Sequence, residues 1–350
     1  MVRNDCVDAP DQEWRPTAVV KFSYLFDFRQ PAEFSMMSSA EFYAAMMQQV
    51  EYLDQAGFET IWITEHHFTD DGYLSAAMPM MAAIAARTRR IKIGSYVILV
   101  PFYHPLRLAE DAALIDVIAN GRLRLGLGLG YRLEEFDTFR IPRKERLGRT
   151  LETVEILKRA WTGERFSFTG KYFTIKNARV LPKPISSPEL LWGGMAPQAI
   201  RRAAQLDMGF ACNLGLKEIN QYHEALRELG KDPAAYSVVN SRMVYVADTE
   251  EQAWREIEPY LMYQMALYGK WLSEGAIETV GHFRPDAEAL RKNAVLGPPN
   301  RIIDRLRQII AASPMTEIAL AMQLPGLEPR KVMRSLERFS TEVLPILRRP

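Results

Sequence analysis

Residues 91–129, with the sequence IKIGSYVILVPFYHPLRLAEDAALIDVIANGRLRLGLGL, contain the unit that decides the fold. The β-branched run Ile91–Val100 predicts a strand, because such side chains pack well on a pleated sheet. The run Leu106–Ala119 predicts a helix, and Leu123–Leu129 predicts a second strand. A strand, a helix and a strand in this order indicate a parallel βαβ unit with a right-handed crossover.

The same alternation extends to both sides of this unit. Further strands are predicted at Val19–Phe26, Thr60–Thr64, Leu190–Gly194, Phe210–Leu214, Val238–Ala247 and Glu317–Gln323. Helices are predicted at Glu41–Gly57, at Met78–Arg87, from about Leu147 to Gly163, and at the C-terminus on Val332, Leu336, Phe339 and Val343. Phe166–Ile175 is predicted to be a surface hairpin that turns at Gly170. About eight strands, each followed by a helix, predict an α/β fold, a single (β/α)8 TIM barrel, with a doubly wound open sheet as the alternative.

One domain is expected over residues 18–350, after an N-terminal extension at residues 1–17. The segment Gly269–Pro299 interrupts the alternation with glycine, proline and charged residues. On a barrel this segment is a C-terminal-face insertion before the last strand, and long insertions at that face often act as lids. Residues 269–299 are therefore predicted to form a lid.

Composition and charge exclude several classes of protein. With 350 residues, 48% of them hydrophobic and 25% charged, the chain has the profile of a soluble globular protein. The formal net charge of +1 gives no overall field that would attract nucleic acid or an anionic membrane. Cys6 and Cys212 are too few for a disulfide framework or a four-thiolate zinc site. The polar N-terminus and the lack of a long uncharged apolar run predict a cytoplasmic protein without a membrane span.

Two adjacent histidines, His66 and His67, follow the strand at Thr60–Thr64. That position is the C-terminal end of a barrel strand, where barrels place their catalytic residues. Neighbouring residues on a strand point in opposite directions, so both histidines cannot bind one metal ion, and no metal site is expected. The sequence leaves two interpretations open: an acid/base histidine, or one histidine that caps the strand beside one on the surface.

The glycines Gly126, Gly128 and Gly130 recur at every second position. A dinucleotide-binding loop needs two residues between its second and third glycines, so this spacing does not fit one. On a strand the glycines share one face, stripped of side chains. Such a face suits either a platform for a flat ligand or a crowded barrel interior.

Paired glycines also occur in Trp192-Gly193-Gly194-Met195-Ala196-Pro197. Pro197 lies where the first residue of a helix is expected. A glycine turn into a helix N-terminus presents free N–H groups and the positive end of the helix dipole, which favours a phosphate. The alternative is an ordinary strand-to-helix turn.

Together these motifs resemble the luciferase-like flavin-dependent monooxygenases, a family that includes the alpha subunit of bacterial luciferase. The resemblance is carried by four segments of the sequence: GFETIWITEHHF (57–68), IGSYVILVPFYHPLRLAED (93–111), NGRLRLGLGLGYRLEEF (120–136) and GGMAPQAIRRAA (193–204). It implies a (β/α)8 barrel that binds reduced FMN at its C-terminal face.

The resemblance also implies roles for individual residues. His66 falls on the family's active-site histidine, a base or proton donor. The implied cofactor-binding residues are Glu65, the Tyr96–Val97 pair (often a non-proline cis peptide), Gly128, Leu129, Gly130 and Tyr131 beside the flavin ring, and Gly194, Met195 and Ala196 at the phosphate. Leu129 replaces the luciferase phosphate-binding arginine and Gly128 its reactive cysteine. Arg132, Arg201 or Arg202 is therefore a candidate for the missing charge.

The implied activity is that of a two-component monooxygenase. A separate reductase would supply reduced FMN, and a flavin hydroperoxide formed with O2 would oxygenate a small, hydrophobic organic substrate. Two alternatives remain: a deazaflavin-dependent oxidoreductase of the same fold, and a flavin-binding protein without catalysis. The resemblance also implies a homo-oligomer.

Overall fold

The computed structural model describes residues 20–35, 37–194, 196–212, 215–274 and 285–348. The strands are β1 (Lys21–Phe26), β2 (Thr60–Ile63), β3 (Lys92–Leu99), β4 (Leu123–Gly128), β5 (Phe166–Thr169), β6 (Thr174–Ala178), β7 (Glu189–Gly193), β8 (Gly209–Cys212), β9 (Val238–Val246), β10 (Val295–Gly297) and β11 (Glu317–Ala321). The helices are α1 (Ser39–Ala56), α2 (Ala77–Arg87), α3 (Pro105–Ala119), α4 (Leu133–Thr138), α5 (Arg146–Ala160), α6 (Pro197–Gln205), α7 (Leu216–Glu228), α8 (Glu250–Glu274), α9 (Ala287–Asn293), α10 (Pro299–Ala312), α11 (Pro329–Arg338) and α12 (Leu344–Leu347).

Eight of these strands form a closed parallel barrel, in the order β1, β2, β3, β4, β7, β8, β9 and β11. The ring closes because β8 pairs with β9, β9 with β11, and β11 with β1. The predicted (β/α)8 barrel is confirmed, and the eight predicted strands are the barrel strands, with ends that differ by a residue or two. The predicted hairpin is the antiparallel pair β5 and β6.

Local sequence signals fix the helix ends. In α1, Ser38 and Glu41 form a reciprocal capping box at the start, and Gly57 ends the helix with a φ of +79°. The predicted C-terminal helix is interrupted, because a π-helical segment at Phe339–Val343 separates α11 from α12.

Side chains fill the interior of the barrel. Trp62, Leu191, Ala211, Val239 and Ala319 form one fully buried layer, each from a different barrel strand. Gly94 makes room for Trp62, since a Cβ at that glycine would lie 2.2 Å from Cζ3 of the indole. The barrel is therefore a packed core, and ligands are expected only at its ends.

A charged network lies at the N-terminal end of the barrel. The Arg124 guanidinium donates to Glu317 (Nη1 to Oε2, 2.6 Å) and to Glu189 (Nε to Oε2, 2.7 Å). Trp62 Nε1 donates to Glu317 Oε1 at 2.8 Å, and Arg124 Nη1 donates to Thr60 Oγ1 at 2.8 Å. These contacts join β2, β4, β7 and β11 at the end remote from His66.

Part of the predicted lid forms regular helix and strand. Residues 269–274 continue α8, and β10 pairs in parallel with the last part of β9, with Val295 opposite Val244. Residues 275–284 and the predicted N-terminal extension at 1–17 lie outside the described residues. The lid role of residues 269–299 stays a prediction. Within the described ranges, every helix is too short or too polar to span a membrane.

Candidate functional site

His66 lies at the C-terminal end of β2 and forms a buried pair with Glu135 of α4. Nδ1 of the imidazole is 2.8 Å from Glu135 Oε1, and His66 and Glu135 are 6% and 0% exposed. A carboxylate only accepts hydrogen bonds, so this contact places a proton on Nδ1. The other ring nitrogen, Nε2, faces the Tyr131 hydroxyl at 3.3 Å. Nε2 is therefore the atom available to accept or release a proton.

The surroundings of His66 favour the neutral imidazole. Burial lowers the pKa of His66 below its ordinary value, while the hydrogen bond and charge of Glu135 oppose this shift, and the Arg132 and Arg29 guanidiniums add to it. A histidine that is neutral at physiological pH and held by a carboxylate can act as a general base.

Aromatic rings enclose the imidazole. The ring centroids of Tyr73, Tyr131 and Trp271 lie 4.9, 5.3 and 5.1 Å from that of His66. Trp271 belongs to α8, so this helix covers the barrel mouth. Arg132 stacks on Trp271, with its guanidinium carbon 4.3 Å from the ring centroid, and donates to the His67 carbonyl. His66 is therefore a titratable side chain enclosed by aromatic rings.

Glu65 precedes His66 in the chain and has different hydrogen-bond partners. Its carboxylate accepts from the backbone N–H of Leu99 (2.6 Å to Oε2) and from the Tyr103 hydroxyl. Burial raises the pKa of Glu65 to about 7, against the lowering effect of these two hydrogen bonds. In this arrangement Glu65 holds the end of β3. Its predicted contact with a cofactor stays a prediction.

His67 has different ring neighbours from His66. Its ring packs among Phe68, Phe102 and Phe139. Among the described residues, no group of three or more His, Cys, Asp or Glu side chains could hold a metal ion.

The Tyr96–Val97 peptide bond is cis, as the resemblance implied. It lies at a shift in the β3–β4 pairing, where Ser95 pairs with Leu125 and Ile98 pairs with Leu127.

The glycine face of β4 receives the side chain of Val97. A Cβ at Gly128 would lie 2.3 Å from Val97 Cγ2, and one at Gly126 would lie 2.2 Å from the Ser95 carbonyl oxygen. Gly193 on β7 makes the same allowance, 2.7 Å from Val97 Cγ1. Of the two interpretations left open by the sequence, the crowded barrel interior therefore describes Gly126 and Gly128.

The loop after β4 leads directly to the His66 pair. Leu129 is partly buried against the core, and Gly130 turns the chain with a φ of +70° beside Phe136 and Phe102. This turn brings Tyr131 to His66. The predicted contacts of Gly128, Leu129, Gly130 and Tyr131 with a flavin ring stay predictions.

The N-terminus of α6 begins at Pro197, as predicted, with Ala196 as its N-cap. A Cβ at Gly194 would lie 2.8 Å from the Ala199 Cβ, so glycine lets this turn pack closely on α6. Met195 lies outside the described residues. Pro197 has no N–H and the Ala199 N–H donates to the Ala196 carbonyl, so Gln198 carries the N–H of the first turn that could donate to a phosphate.

The three candidate arginines lie in different surroundings. Arg132 is already paired with Glu134 at 2.6 Å in the His66 cluster. Arg202 of α6 lies 5.8 Å from the Trp192 ring, and Arg201 lines a cleft between α6 and α7 beside Glu224 and Glu228. Arg201 and Arg202 lie on α6, the helix that follows the turn at Gly194, whereas Arg132 precedes α4.

Several residues at the mouth were not predicted from the sequence. Glu135 and Trp271 reach His66 from elements distant in the chain. Arg29 follows β1, its side chain is 0% exposed, and it pairs with Asp27 (Nε to Oδ1, 2.9 Å). A charged residue three positions after the end of a strand was the sequence signal for this part of the site.

Comparisons with known proteins agree with this geometry. The family model described as luciferase-like monooxygenase matches residues 20–317. The oxygenase component of a flavin-dependent trigonelline monooxygenase from Acinetobacter baylyi is 26% identical over 335 residues, covering 87% of this chain and 90% of that protein. An F420-dependent glucose-6-phosphate dehydrogenase from Amycolatopsis mediterranei is 27% identical, covering 85% and 94%.

A solved structure shows the same fold. The oxygenating constituent of 3,6-diketocamphane monooxygenase from Pseudomonas putida, a type II Baeyer-Villiger monooxygenase in complex with FMN, superposes with a TM-score of 0.77. Its sequence is 21% identical, and the match covers 94% of this chain and 98% of that one. At this identity the likeness establishes the barrel fold.

Proposed function

The chain belongs to the luciferase-like monooxygenase family, and from this premise we propose that it is the oxygenase component of a two-component flavin-dependent monooxygenase. The single observation that carries the proposal is the buried His66–Glu135 pair under Trp271 at the barrel mouth. The similarity to an oxygenase component over most of both chains supports the division into two components.

The residues at the C-terminal face fit a flavin. The turn at Gly194 and the N-terminus of α6 would hold its phosphate, with Arg201 or Arg202 as the source of added positive charge. Tyr96, Val97, Leu129 and Tyr131 would lie about its ring, with Glu65 fixing the end of β3. Reduced FMN from a separate reductase would there activate O2 for transfer of one oxygen atom to a small organic substrate.

His66 would exchange a proton through Nε2. Glu135 fixes the proton on Nδ1 and stabilises the imidazolium that forms when Nε2 accepts another. The Tyr131 hydroxyl, 3.3 Å from Nε2, would pass the proton to or from a bound molecule. Trp271 and Tyr73 exclude water from this exchange, which prevents side reactions of activated oxygen.

A second candidate is a deazaflavin-dependent oxidoreductase that transfers a hydride. The similarity to an F420-dependent dehydrogenase over 331 residues favours it, and a buried histidine–carboxylate pair could serve that reaction too. The two candidates differ in what happens to oxygen.

Isotope labelling separates them. The chain is supplied with FMN, NADH, a flavin reductase and 18O2, and a panel of organic substrates is screened by mass spectrometry. A product that gains one 18O atom in the presence of wild type, but not of His66→Ala, supports the monooxygenase. Substrate turnover with F420 under anaerobic conditions, and no labelled product with FMN, would instead establish the dehydrogenase.

A homo-oligomer in the cytoplasm stays a prediction. Sedimentation of the purified chain would give the oligomeric state.

A further inference from the structure

Among the described residues near His66, four buried side-chain atoms have no hydrogen-bond partner: Oε2 of Glu135, Nε2 of His67, Nη1 of Arg29 and Oδ1 of Asp71. The last two belong to side chains that lie beside each other. The Arg29 side chain is 0% exposed and that of Asp71 is 3% exposed. Buried polar groups in proteins are nearly always paired, with protein, water or ligand. The two atoms of Arg29 and Asp71 therefore need a partner that the described residues do not supply.

The Arg29 guanidinium is held in one orientation. Its Nε donates to both carboxylate oxygens of Asp27, at 2.9 and 3.1 Å, and Nη2 donates to Asp27 as well. The rings of Tyr73 and Tyr268 lie 4.7 and 5.2 Å from its central carbon. This leaves Nη1 as the free donor.

Asp71 is fixed beside it. Its Oδ2 accepts from the Tyr263 hydroxyl at 3.2 Å and lies 3.9 Å from Arg29 Nη1, which is too far for a hydrogen bond. The free oxygen, Oδ1, is on the same carboxylate. A free donor and a free acceptor therefore lie within reach of one small group.

Tyr73 connects this pair to the His66 site. Its ring centroid lies 4.7 Å from the central carbon of Arg29 and 4.9 Å from the His66 ring centroid, and its hydroxyl is 2.9 Å from that of Tyr268. The Arg29–Asp71 pair is therefore one aromatic ring away from His66.

The charges select the kind of group. One guanidinium lies beside two carboxylates, those of Asp27 and Asp71, so a carboxylate or phosphate ligand would be repelled by both. An ammonium ligand could donate to Asp71 Oδ1, but it has no atom that accepts from Arg29 Nη1, so one of the two free atoms would stay without a partner. A neutral group that accepts one hydrogen bond and donates another satisfies both free atoms.

We propose that Arg29 and Asp71 form a substrate subsite that binds an uncharged group able both to accept and to donate a hydrogen bond, such as a carboxamide or a hydroxyl. The inference rests on the proposed function, which supplies the reaction and its organic substrate. Arg29 and Asp71 would bind a part of that substrate that does not react.

Four small aromatic probes test the chemistry on the unmodified chain. Benzamide carries both hydrogen-bonding functions, acetophenone lacks the donor, benzoate is an anion, and benzylammonium is a cation. Dissociation constants are measured by saturation-transfer NMR without flavin and again with FMN. We expect benzamide to bind about tenfold more tightly than acetophenone, and both charged probes to bind more weakly than benzamide. Equal binding of benzamide and acetophenone, or tighter binding of a charged probe, would overturn the proposal.

Variants test the location. In Asp71→Ala the preference for benzamide over acetophenone should disappear, whereas the matched control Asp70→Ala, at an exposed neighbouring position, should retain it. A preference that persists in Asp71→Ala shows that the group binds elsewhere. The comparison of probes on the wild type decides the chemistry even where Asp71→Ala does not fold.

The design separates the subsite from the proposed function. If FMN displaces benzamide and Asp71→Ala weakens FMN binding, the pair belongs to the flavin and the substrate assignment is overturned. If FMN and F420 both fail to bind while benzamide keeps its preference, the proposed function fails and the subsite stands.

Discussion

At the scale of single residues, His66 has its two nitrogens in different roles. Glu135 occupies Nδ1, and Nε2 faces Tyr131. Because the imidazole is buried, its proton affinity is lowered by desolvation and by the Arg132 and Arg29 guanidiniums, and raised by the Glu135 carboxylate at Nδ1.

Removing the imidazole should abolish most catalysis. In His66→Ala, loss of general acid–base catalysis is expected to lower turnover by roughly 100-fold or more, with FMN affinity retained. His104→Ala removes an exposed histidine from the start of α3 and is the matched control. Unchanged turnover in His66→Ala would remove its catalytic role.

Glu135→Gln should shift the pH profile. The Glu135 carboxylate raises the pKa of His66 against the lowering effect of burial, so its loss lowers that pKa further. The acidic limb of the rate profile should move to lower pH, with a roughly tenfold or greater fall in the maximum rate. NMR titration of the imidazole measures the same shift directly. A limb that does not move would mean that His66 is not the titrating group.

Glu65 should make stability depend on pH. Its pKa is raised by burial to about 7, so the folded state holds its proton more tightly than the unfolded chain does. This stabilisation is complete below the unfolded pKa near 4.5 and is lost as the pH rises through about 7. Relative to Glu65→Gln, the wild type should lose up to about 3 kcal/mol of unfolding free energy over that interval. Urea titrations at several pH values measure it, with the exposed Glu110→Gln as control.

At the scale of elements, β3 and β4 fit together through Val97 and the glycines opposite it. Alternating glycines alone could not show which object occupies their face, because a flat ligand and a neighbouring side chain need the same space. In the structure, the side chain of Val97, the residue that follows the cis peptide bond, occupies this face.

A double-mutant cycle tests this fit. Gly128→Ala should destabilise the protein by roughly 1–3 kcal/mol, because the new Cβ would lie 2.3 Å from Val97 Cγ2, and adding Val97→Ala should recover part of the loss. Gly126→Ala should not be recovered, since its Cβ meets the backbone oxygen of Ser95. Equal recovery at both positions would contradict the packing described.

The helix α8 should control the loss of activated oxygen to water. Trp271→Ala opens the cover above His66, so the fraction of consumed O2 recovered as hydrogen peroxide should rise several-fold. Lys270→Ala, at the exposed neighbouring position, should leave this fraction unchanged. A peroxide assay beside product quantification measures both.

At the scale of the whole molecule, the barrel was predictable because each strand and helix has its own local period and each turn its own residues. The place of His66 followed from the same count, since it lies three residues after the C-terminal end of β2. The contacts of Glu135 and Trp271 with His66 were not predictable, because tertiary packing sets them across 69 and 205 positions of sequence and no local pattern records it. The contact of Arg29 with Tyr73 is likewise tertiary, although its ion pair with Asp27 is local. Glu135 is 69 positions from His66.

The two ends of the barrel have different roles, with the candidate site at one end and a stabilising charged network at the other. At the end remote from His66, Glu317 ties Arg124 to Trp62 and is 2% exposed, so Glu317→Ala leaves a buried guanidinium underpaired. This change should destabilise the protein by roughly 3–5 kcal/mol, more than Glu189→Ala at the half-buried partner, as measured by urea unfolding. Turnover per folded molecule should be the same in both variants.

The strand β9 is shared between two structures. Its first half closes the barrel against β8 and β11, and its last residues pair with β10 on the way back from α8. The segment from α8 to β10, which places Trp271 over the barrel mouth, therefore begins after β9 and ends beside it. The eight-stranded ring closes without this segment. Evolution can therefore change the length or the sequence of this segment without disturbing the barrel. The set of molecules that enter the barrel mouth could change in this way while the other residues around His66 stay the same.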